Sequence, residues 1–210
     1  MTKATILLVG CGGHAVACID VIEAAGEYGV AGLVGLPAEF GKKVLGHAVL
    51  GTDDDLPALV ARHRAALVVV GQVKTPEPRI RLFESLRAVG CELPVIVSPR
   101  AYVSKLATLG AGTIVMHGAV VNAGATIGRN CIINSQALVE HEAIIADHCH
   151  ISTAAVINGG VRIGTGTFIG SNSSVRECIS IGERCLIGMG QRLLADCASN
   201  TSIPSARRTA

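Results

Sequence analysis

The stretch Ile163-Gly164-Thr165-Gly166-Thr167-Phe168-Ile169-Gly170-Ser171-Asn172-Ser173-Ser174-Val175 places an aliphatic residue at every sixth position. The rule extends in both directions without a miss, from Val103 through Val115, Val121, Ile133, Val139 and Ile151 to Ile187 and Leu193. Four places after each of these the residue is nearly always small, as at Ala119, Ala125, Cys131, Ala137, Ala143, Cys149, Ala155 and Cys185; Val161, Ile179 and Gln191 are bulkier. A helix repeats every 3.6 residues and a strand every 2, so a period of six fits neither. It is the signature of a parallel β-helix, in which large and small inward residues alternate to fill a narrow prism. Three hexads close one coil, so the repeat predicts about five coils.

Composition agrees with a thin core. Of 210 residues, 2 are Tyr, 3 are Phe and none is Trp, so the interior must be built from aliphatic and small side chains. A net charge of +2, with both signs scattered, argues against a general nucleic-acid or membrane-surface binder. The apolar run Ile6–Val9 is cut short by glycines with no cleavage site after it, which predicts a buried strand rather than a signal peptide. No apolar run approaches a membrane span, and the expectation is a cytoplasmic protein. Eight cysteines contain no C-x-x-C pair, and four of them (Cys131, Cys149, Cys185, Cys197) fall in the small inward slot, predicting reduced core thiols. No metal is expected. His117 and His141 differ by a coil plus one face, and His148-Cys149-His150 splits across a pleat.

Before the repeat the pattern is that of an α/β fold, with a domain over 1–98 and the prism over 99–210. Strands are predicted at Ile6–Val9, Val30–Val34, Ala66–Val70 and Leu93–Val97, and helices at Ala15–Ala25, from the Thr52/Asp53 cap to His63, and at Glu77–Val89. That alternation implies a small parallel sheet with Rossmann-like winding. The turn Gly10-Cys11-Gly12-Gly13-His14 would let a phosphate approach free N–H groups at a helix N-terminus. It is not a full G-x-G-x-x-G. The acidic ribose ligand usual at the end of the second strand is also missing, since Leu36-Pro37 stand there.

Within the prism, His141 takes the third place of its hexad, between two inward positions, and so projects outward. Gly159 lies eighteen residues later, at the same angular place one coil on. Stacked strands are about 4.8 Å apart, which would put an imidazole beside an unobstructed backbone N–H. Acyl transfer needs such a pair: a base for the attacking amine or hydroxyl and a fixed donor for the oxyanion. Glu142 is the neighbouring carboxylate that could support an imidazolium. None of the cysteines stands beside His141 in the repeat register.

Several segments together resemble the NeuD/PglD family: Gly10–His14, Leu45-Gly46 to Leu56, Val70-Gly71 with Arg79, Ser98–Val103, Asn134–Glu142 and Ile203–Arg207. The resemblance implies a left-handed β-helix behind a Rossmann-like domain, and a homotrimer with each active site between two prisms. It implies acetyl-CoA as co-substrate and a nucleotide-linked amino sugar as acceptor. By that resemblance His141 is the general base assisted by Glu142. His150, Gly159, Ser171 and Met189 line the acetyl-CoA site, and Gly12, Gly13, His14 and Gly71 contact the nucleotide sugar. Relatives that take UDP-sugars often carry Asp-Asp where this chain has Leu36-Pro37, while Ile157-Asn158-Gly159 is nearer the sialic acid branch. The expected activity is N-acetylation of a nucleotide-linked 4-amino-deoxy sugar of the GDP-perosamine or UDP-4-amino-sugar type. The alternatives are an O-acetyltransferase of sialic acid or a related nonulosonate, and a non-catalytic nucleotide-sugar-binding protein.

Overall fold

A computed structural model of the protein describes residues 3–205, so Ala206 and Arg207 of the closing motif lie outside the described residues. The chain divides into two compact units. One runs up to Gly71 and resumes over Glu77–Pro99; the other takes Gln72–Pro76 together with the chain from Arg100 onward.

The first unit contains β1 (Thr5–Val9), α1 (Gly13–Ala25), β2 (Gly29–Val34), β3 (Lys43–Val44), β4 (His47–Gly51), α2 (Leu56–His63), β5 (Ala65–Val68), α3 (Glu77–Ala88) and β6 (Ile96–Val97). Its sheet runs β3-β4-β2-β1-β5, parallel except for the β3–β4 pair, and Glu92 continues it in parallel beside Ala65. The winding goes outward from β1 through β2 to β4 and then returns to β5, so the order reverses between β1 and β5. Such a reversal opens a crevice at the carboxyl ends of the strands. Burial of Ile6–Val9 drives the arrangement: Leu7 and Val9 share one cluster with Leu56 and Val60 of α2 and with Leu82, Phe83 and Leu86 of α3.

Three elements depart from the sequence pattern. The β3–β4 hairpin was hidden because its turn, Leu45-Gly46, has positive φ at both residues (47° and 87°), a geometry that Asn-Gly usually announces. Strand β5 ends at Val68 rather than Val70, where the buried Arg79 guanidinium donates to the Val68 and Val70 carbonyls at 3.0 and 2.6 Å. Strand β6 keeps only Ile96–Val97 of the expected Leu93–Val97, since Pro94 has no N–H to give a ladder.

The second unit is a left-handed parallel β-helix of two-residue strands. Three faces carry them. The first stacks Tyr102–Val103, Val120–Val121, Leu138–Val139, Val156–Ile157, Ser174–Val175 and Arg192–Leu193. The second stacks Thr108–Leu109, Thr126–Ile127, Ile144–Ile145, Arg162–Ile163 and Ser180–Ile181. The third stacks Ile114–Val115, Ile132–Ile133, His150–Ile151, Phe168–Ile169, Leu186–Ile187 and Ser202–Ile203. Each pair is in register at a spacing of eighteen along the repeat, as in Leu138 against Val156. The inward aliphatic residues from Val115 to Leu193 are buried, and so are the small residues between them.

Two local devices close each coil. Every sixth residue from Gly112 to Gly190 sits in the left-handed region, including Glu142 (φ 58°) and His148 (φ 60°), which turns the chain at each vertex. The second device explains polar residues inside the prism. Thr113 donates its hydroxyl to the Gly128 carbonyl (2.7 Å), Thr167 to Gly182 (2.8 Å) and Ser173 to Gly188 (2.9 Å). Cys131 and Cys149 make the same bond as thiols, to Ala146 (3.2 Å) and Gly164 (3.1 Å). A buried polar atom is tolerated when it is paired, and here each one ties a coil to the next. All eight cysteines are free thiols.

Candidate functional site

His141 and Gly159 meet on the vertex between the first and second faces of the prism. A Cβ built on Gly159 would lie 2.6 Å from both Cε1 and Nε2 of His141, so the imidazole occupies the space that any side chain there would need. The Gly160 N–H donates to the His141 carbonyl at 3.0 Å, locking the two coils at this point. The Gly159 N–H makes no hydrogen bond among the described residues. Glu142 Oε2 lies 3.4 Å from His141 Nδ1, at the long end of hydrogen bonding, and both side chains are largely exposed. Behind them Glu140 is fixed: its carboxylate accepts from Asn122 Nδ2 at 2.8 Å and from the His141 N–H at 3.3 Å.

These residues line a cavity of about 500 Å³ together with Asn158, Gly160, Glu177 and Cys178. Three carboxylates therefore share one cavity with the imidazole. Glu177 repeats the angular place of His141 two coils on, and Cys178 repeats that of Glu142. The exposed Cys178 thiol reaches this cavity from the neighbouring column, two coils on from Glu142 and outside the register of His141.

His150, Ser171 and Met189 come together elsewhere, around a second cavity of about 440 Å³. It lies over the third face, among the outward residues Phe168 and Leu186, and the third face is opposite the vertex that carries His141. His150 is only 6% exposed. Its Nδ1 lies 2.6 Å from the Gln72 carbonyl and its Nε2 lies 3.0 Å from Asn134 Nδ2. Since a carbonyl only accepts and an amide nitrogen only donates, the ring is the Nδ1–H tautomer with both nitrogens engaged. Phe168 meets it edge-on with centroids 5.1 Å apart. Ser171 Oγ pairs with Ser152 Oγ at 3.0 Å. The four residues expected at the acetyl-CoA site are thus divided within one chain, with Gly159 beside His141 and the other three on the opposite side of the prism.

In the first unit a cavity of about 350 Å³ opens at the carboxyl ends of β1, β2 and β5, lined by Gly10, Cys11, Gly12, Gly35, Leu36 and Val70 among others. The glycines of the turn divide by role. Gly10 has φ 125°, and a Cβ there would strike Val70, so the fold itself requires it. Gly12 and Gly13 have ordinary φ and nothing within 4 Å of a built Cβ, so none of the described residues requires them to be glycine. Gly12 is the N-cap of α1 and caps it with no side chain, leaving helix N–H groups to a ligand. His14 follows in the first turn, and Gly71 faces it, a built Cβ lying 3.5 Å from His14 Cβ.

The sequence also concealed an acidic residue at the end of β2. The turn Pro37–Glu39 folds the Glu39 carboxylate back onto the Leu36 N–H at 2.8 Å, so an acid does line this cavity, three residues later than expected. Its signal was Pro followed two places later by Glu, a helix-start pattern too short to announce a helix. The Cys11 thiol beside it is pushed up to about 11 by burial and then by the Glu39 charge, which keeps it protonated. Arg81 and Asp53, paired at 2.9 Å, line the same cavity. Among the described residues no group of three His, Cys, Asp or Glu could hold a metal ion, and no helix is long and apolar enough to cross a membrane.

Comparison with known proteins agrees with this architecture. The family model for the PglD N-terminal domain matches residues 5–86; models for the bacterial transferase hexapeptide and the hexapeptide repeat of succinyl-transferase match 106–141 and 160–195. Among curated proteins none matches the sequence. Perosamine N-acetyltransferase from Caulobacter crescentus, solved as a histidine-to-asparagine variant with CoA and GDP-perosamine, is 31% identical with a TM-score of 0.90, over 96% of this chain and 93% of that one. The acetyltransferase domain of PglB from Neisseria gonorrhoeae, solved also with acetyl coenzyme A, is 29% identical with a TM-score of 0.88, over 97% of each chain. WeeI from Acinetobacter baumannii, at 17% identity and a TM-score of 0.85 over 96% of each chain, shares the fold. With the sheet, the prism and the His141 vertex all in place, the chain belongs to the NeuD/PglD family of sugar acyltransferases.

Proposed function

We propose that the protein transfers an acetyl group from acetyl-CoA to the amino group of a nucleotide-linked 4-amino-deoxy sugar, with His141 as general base. The observation that carries this reading is the vertex where the His141 ring covers Gly159 inside a cavity ringed by Glu140, Glu142 and Glu177. His141 takes a proton from the acceptor nitrogen, and Glu142 steadies the resulting imidazolium. The Gly159 N–H, unused among the described residues, is the donor for oxygen charge that develops on the acetyl carbonyl. The adduct collapses to the amide as CoA leaves, the second nitrogen proton passing to its thiolate, and no enzyme nucleophile is needed.

The carboxylates also select the acceptor. An amino sugar arrives as an ammonium and is attracted, whereas a sialic acid brings its own carboxylate and is repelled. That favours N-acetylation over O-acetylation. Nucleotide recognition falls to the first unit, where Gly12, Gly13 and the start of α1 offer N–H groups to a diphosphate. GDP-perosamine, bound by the Caulobacter relative, is the acceptor type we favour.

One prism cannot assemble this reaction alone. The groove of His150, Ser171 and Met189 lies across the prism from His141. A second copy of the chain, presenting its third face to this vertex, would join donor to base, which supports the homotrimer with sites between subunits that the family resemblance implies. The test is to incubate the purified protein with acetyl-CoA and a panel of GDP- and UDP-linked 4-amino sugars and free sialic acids, following thiol release. Turnover with a nucleotide-linked amino sugar, reduced roughly 10²–10⁴-fold in His141→Asn, is expected. Turnover only with sialic acids, or an undiminished His141→Asn, would overturn the reading.

A further inference from the structure

The strap Gln72–Pro76 lies in sequence between β5 and α3, yet it packs as part of the prism. It is fastened there at several points. The Gln72 carbonyl accepts the Nδ1–H of His150 at 2.6 Å, Gln72 Nε2 donates to the Gly166 carbonyl at 3.2 Å, and the Pro76 ring lies against Gly166. Gln72 and Pro76 are buried, whereas Val73 and Lys74 between them are exposed. A ring with both nitrogens engaged and almost no exposure is a fastening for this strap rather than a base.

The strap puts Val73 and Lys74 on the wall of the 440 Å³ groove. Apart from the engaged His150 ring, the rest of that wall is apolar or hydroxylic, with Phe168, Leu186, Met189 and Pro204 alongside Ser152 and Ser171. Among the described residues lining the groove, Lys74 carries the one fixed charge. An apolar channel with a single ammonium suits a long, uncharged arm that ends in phosphate. A pantetheine arm attached to a nucleotide phosphate has that form.

We propose that Lys74 holds a phosphate of CoA and that His150 is the positioning residue that keeps its strap on the groove, an assignment that rests on the acetyl-CoA reading above. An ammonium is a compact point charge that pairs with phosphate without demanding a fixed fork geometry, which suits an exposed strap. The test is calorimetric titration of wild type, Lys74→Gln and Lys74→Glu with CoA, dephospho-CoA and pantetheine. Lys74→Gln should weaken CoA about tenfold and Lys74→Glu further, with pantetheine unchanged and a shallower loss of CoA affinity on adding salt. If dephospho-CoA is weakened equally, the diphosphate is the partner; if it is unaffected, the 3′-phosphate is. CoA bound equally by wild type and Lys74→Gln overturns the assignment while leaving acetyl transfer standing. Wild-type protein that binds neither CoA nor pantetheine removes both. His150→Gln should speed tryptic cleavage after Lys74, and an unchanged cleavage rate would take His150 out of the proposal.

Discussion

The His141 imidazole occupies the volume that a side chain at Gly159 would fill, with Nε2 2.6 Å from the missing Cβ. Gly159 does not have the positive φ that would itself demand glycine. Gly159→Ala should therefore leave the backbone intact and push aside an exposed ring, at small cost in stability. Melting temperature should stay within a few degrees of wild type while kcat falls about 100-fold, the effect expected if His141 is the base and is misplaced. A full loss of folding, or full activity, would contradict the geometry.

Glu142 offers an unusually clean deletion. It sits at φ 58°, where a non-glycine residue costs roughly 1–2 kcal/mol. Glu142→Gly removes the carboxylate and relieves that cost, so thermal unfolding should move upward or stay level while activity drops. Comparison with Glu142→Gln, measured by calorimetry and initial rates, separates the two effects.

The glycine turn of the first unit predicts opposite outcomes two residues apart. Gly10→Ala, at φ 125° and against Val70, should destabilise the protein by about 2 kcal/mol or more. Gly12→Ala meets nothing and should leave denaturant unfolding unchanged, while raising the KM for the nucleotide sugar and leaving that for acetyl-CoA alone.

Thiol reactivity should follow burial. Cys149 is held protonated by burial and then by the neighbouring Cys131 thiol, and burial pushes Cys18 up to about 12. Cys178 is exposed at the His141 cavity. A bulky maleimide should therefore label Cys178 first, as read by peptide mass mapping, and labelling should block turnover in wild type but not in Cys178→Ser.

At acid pH one ion pair should matter. Burial alone would raise Asp147, but its hydrogen bonds and charge contact with Arg129, at 2.6 Å, outweigh that and hold the carboxyl below its ordinary 3.8. A depressed folded-state value means that stabilisation is present above the unfolded value and is lost as pH falls through the folded one. Arg129→Gln should thus lower the melting temperature at pH 7 and show a smaller further drop between pH 4 and pH 2.

The prism was readable to the residue because its inward positions recur at a fixed interval, and burial follows Val115 to Leu193 as that interval requires. The His141–Gly159 meeting was readable for the same reason, since stacking in register turns a separation of eighteen into contact. What depended on side chains folding back was not. Glu39 reaches the end of β2 through a one-turn detour, and the Leu45-Gly46 hairpin lacks the usual turn residue. The Gln72–Pro76 strap joins the prism through His150, a long-range bond that no local pattern encodes.

The bond from an inward hydroxyl or thiol to a carbonyl fifteen residues ahead makes each storey of the prism fasten only to the next. A storey is therefore a unit of insertion and deletion. Adding or removing eighteen residues beyond Cys178 would change the height of the tower without disturbing the corner where imidazole and glycine meet. The same change between His141 and Gly159 would part them by one floor. Length is free to drift only where no such seam, strap contact or groove wall spans the added storey.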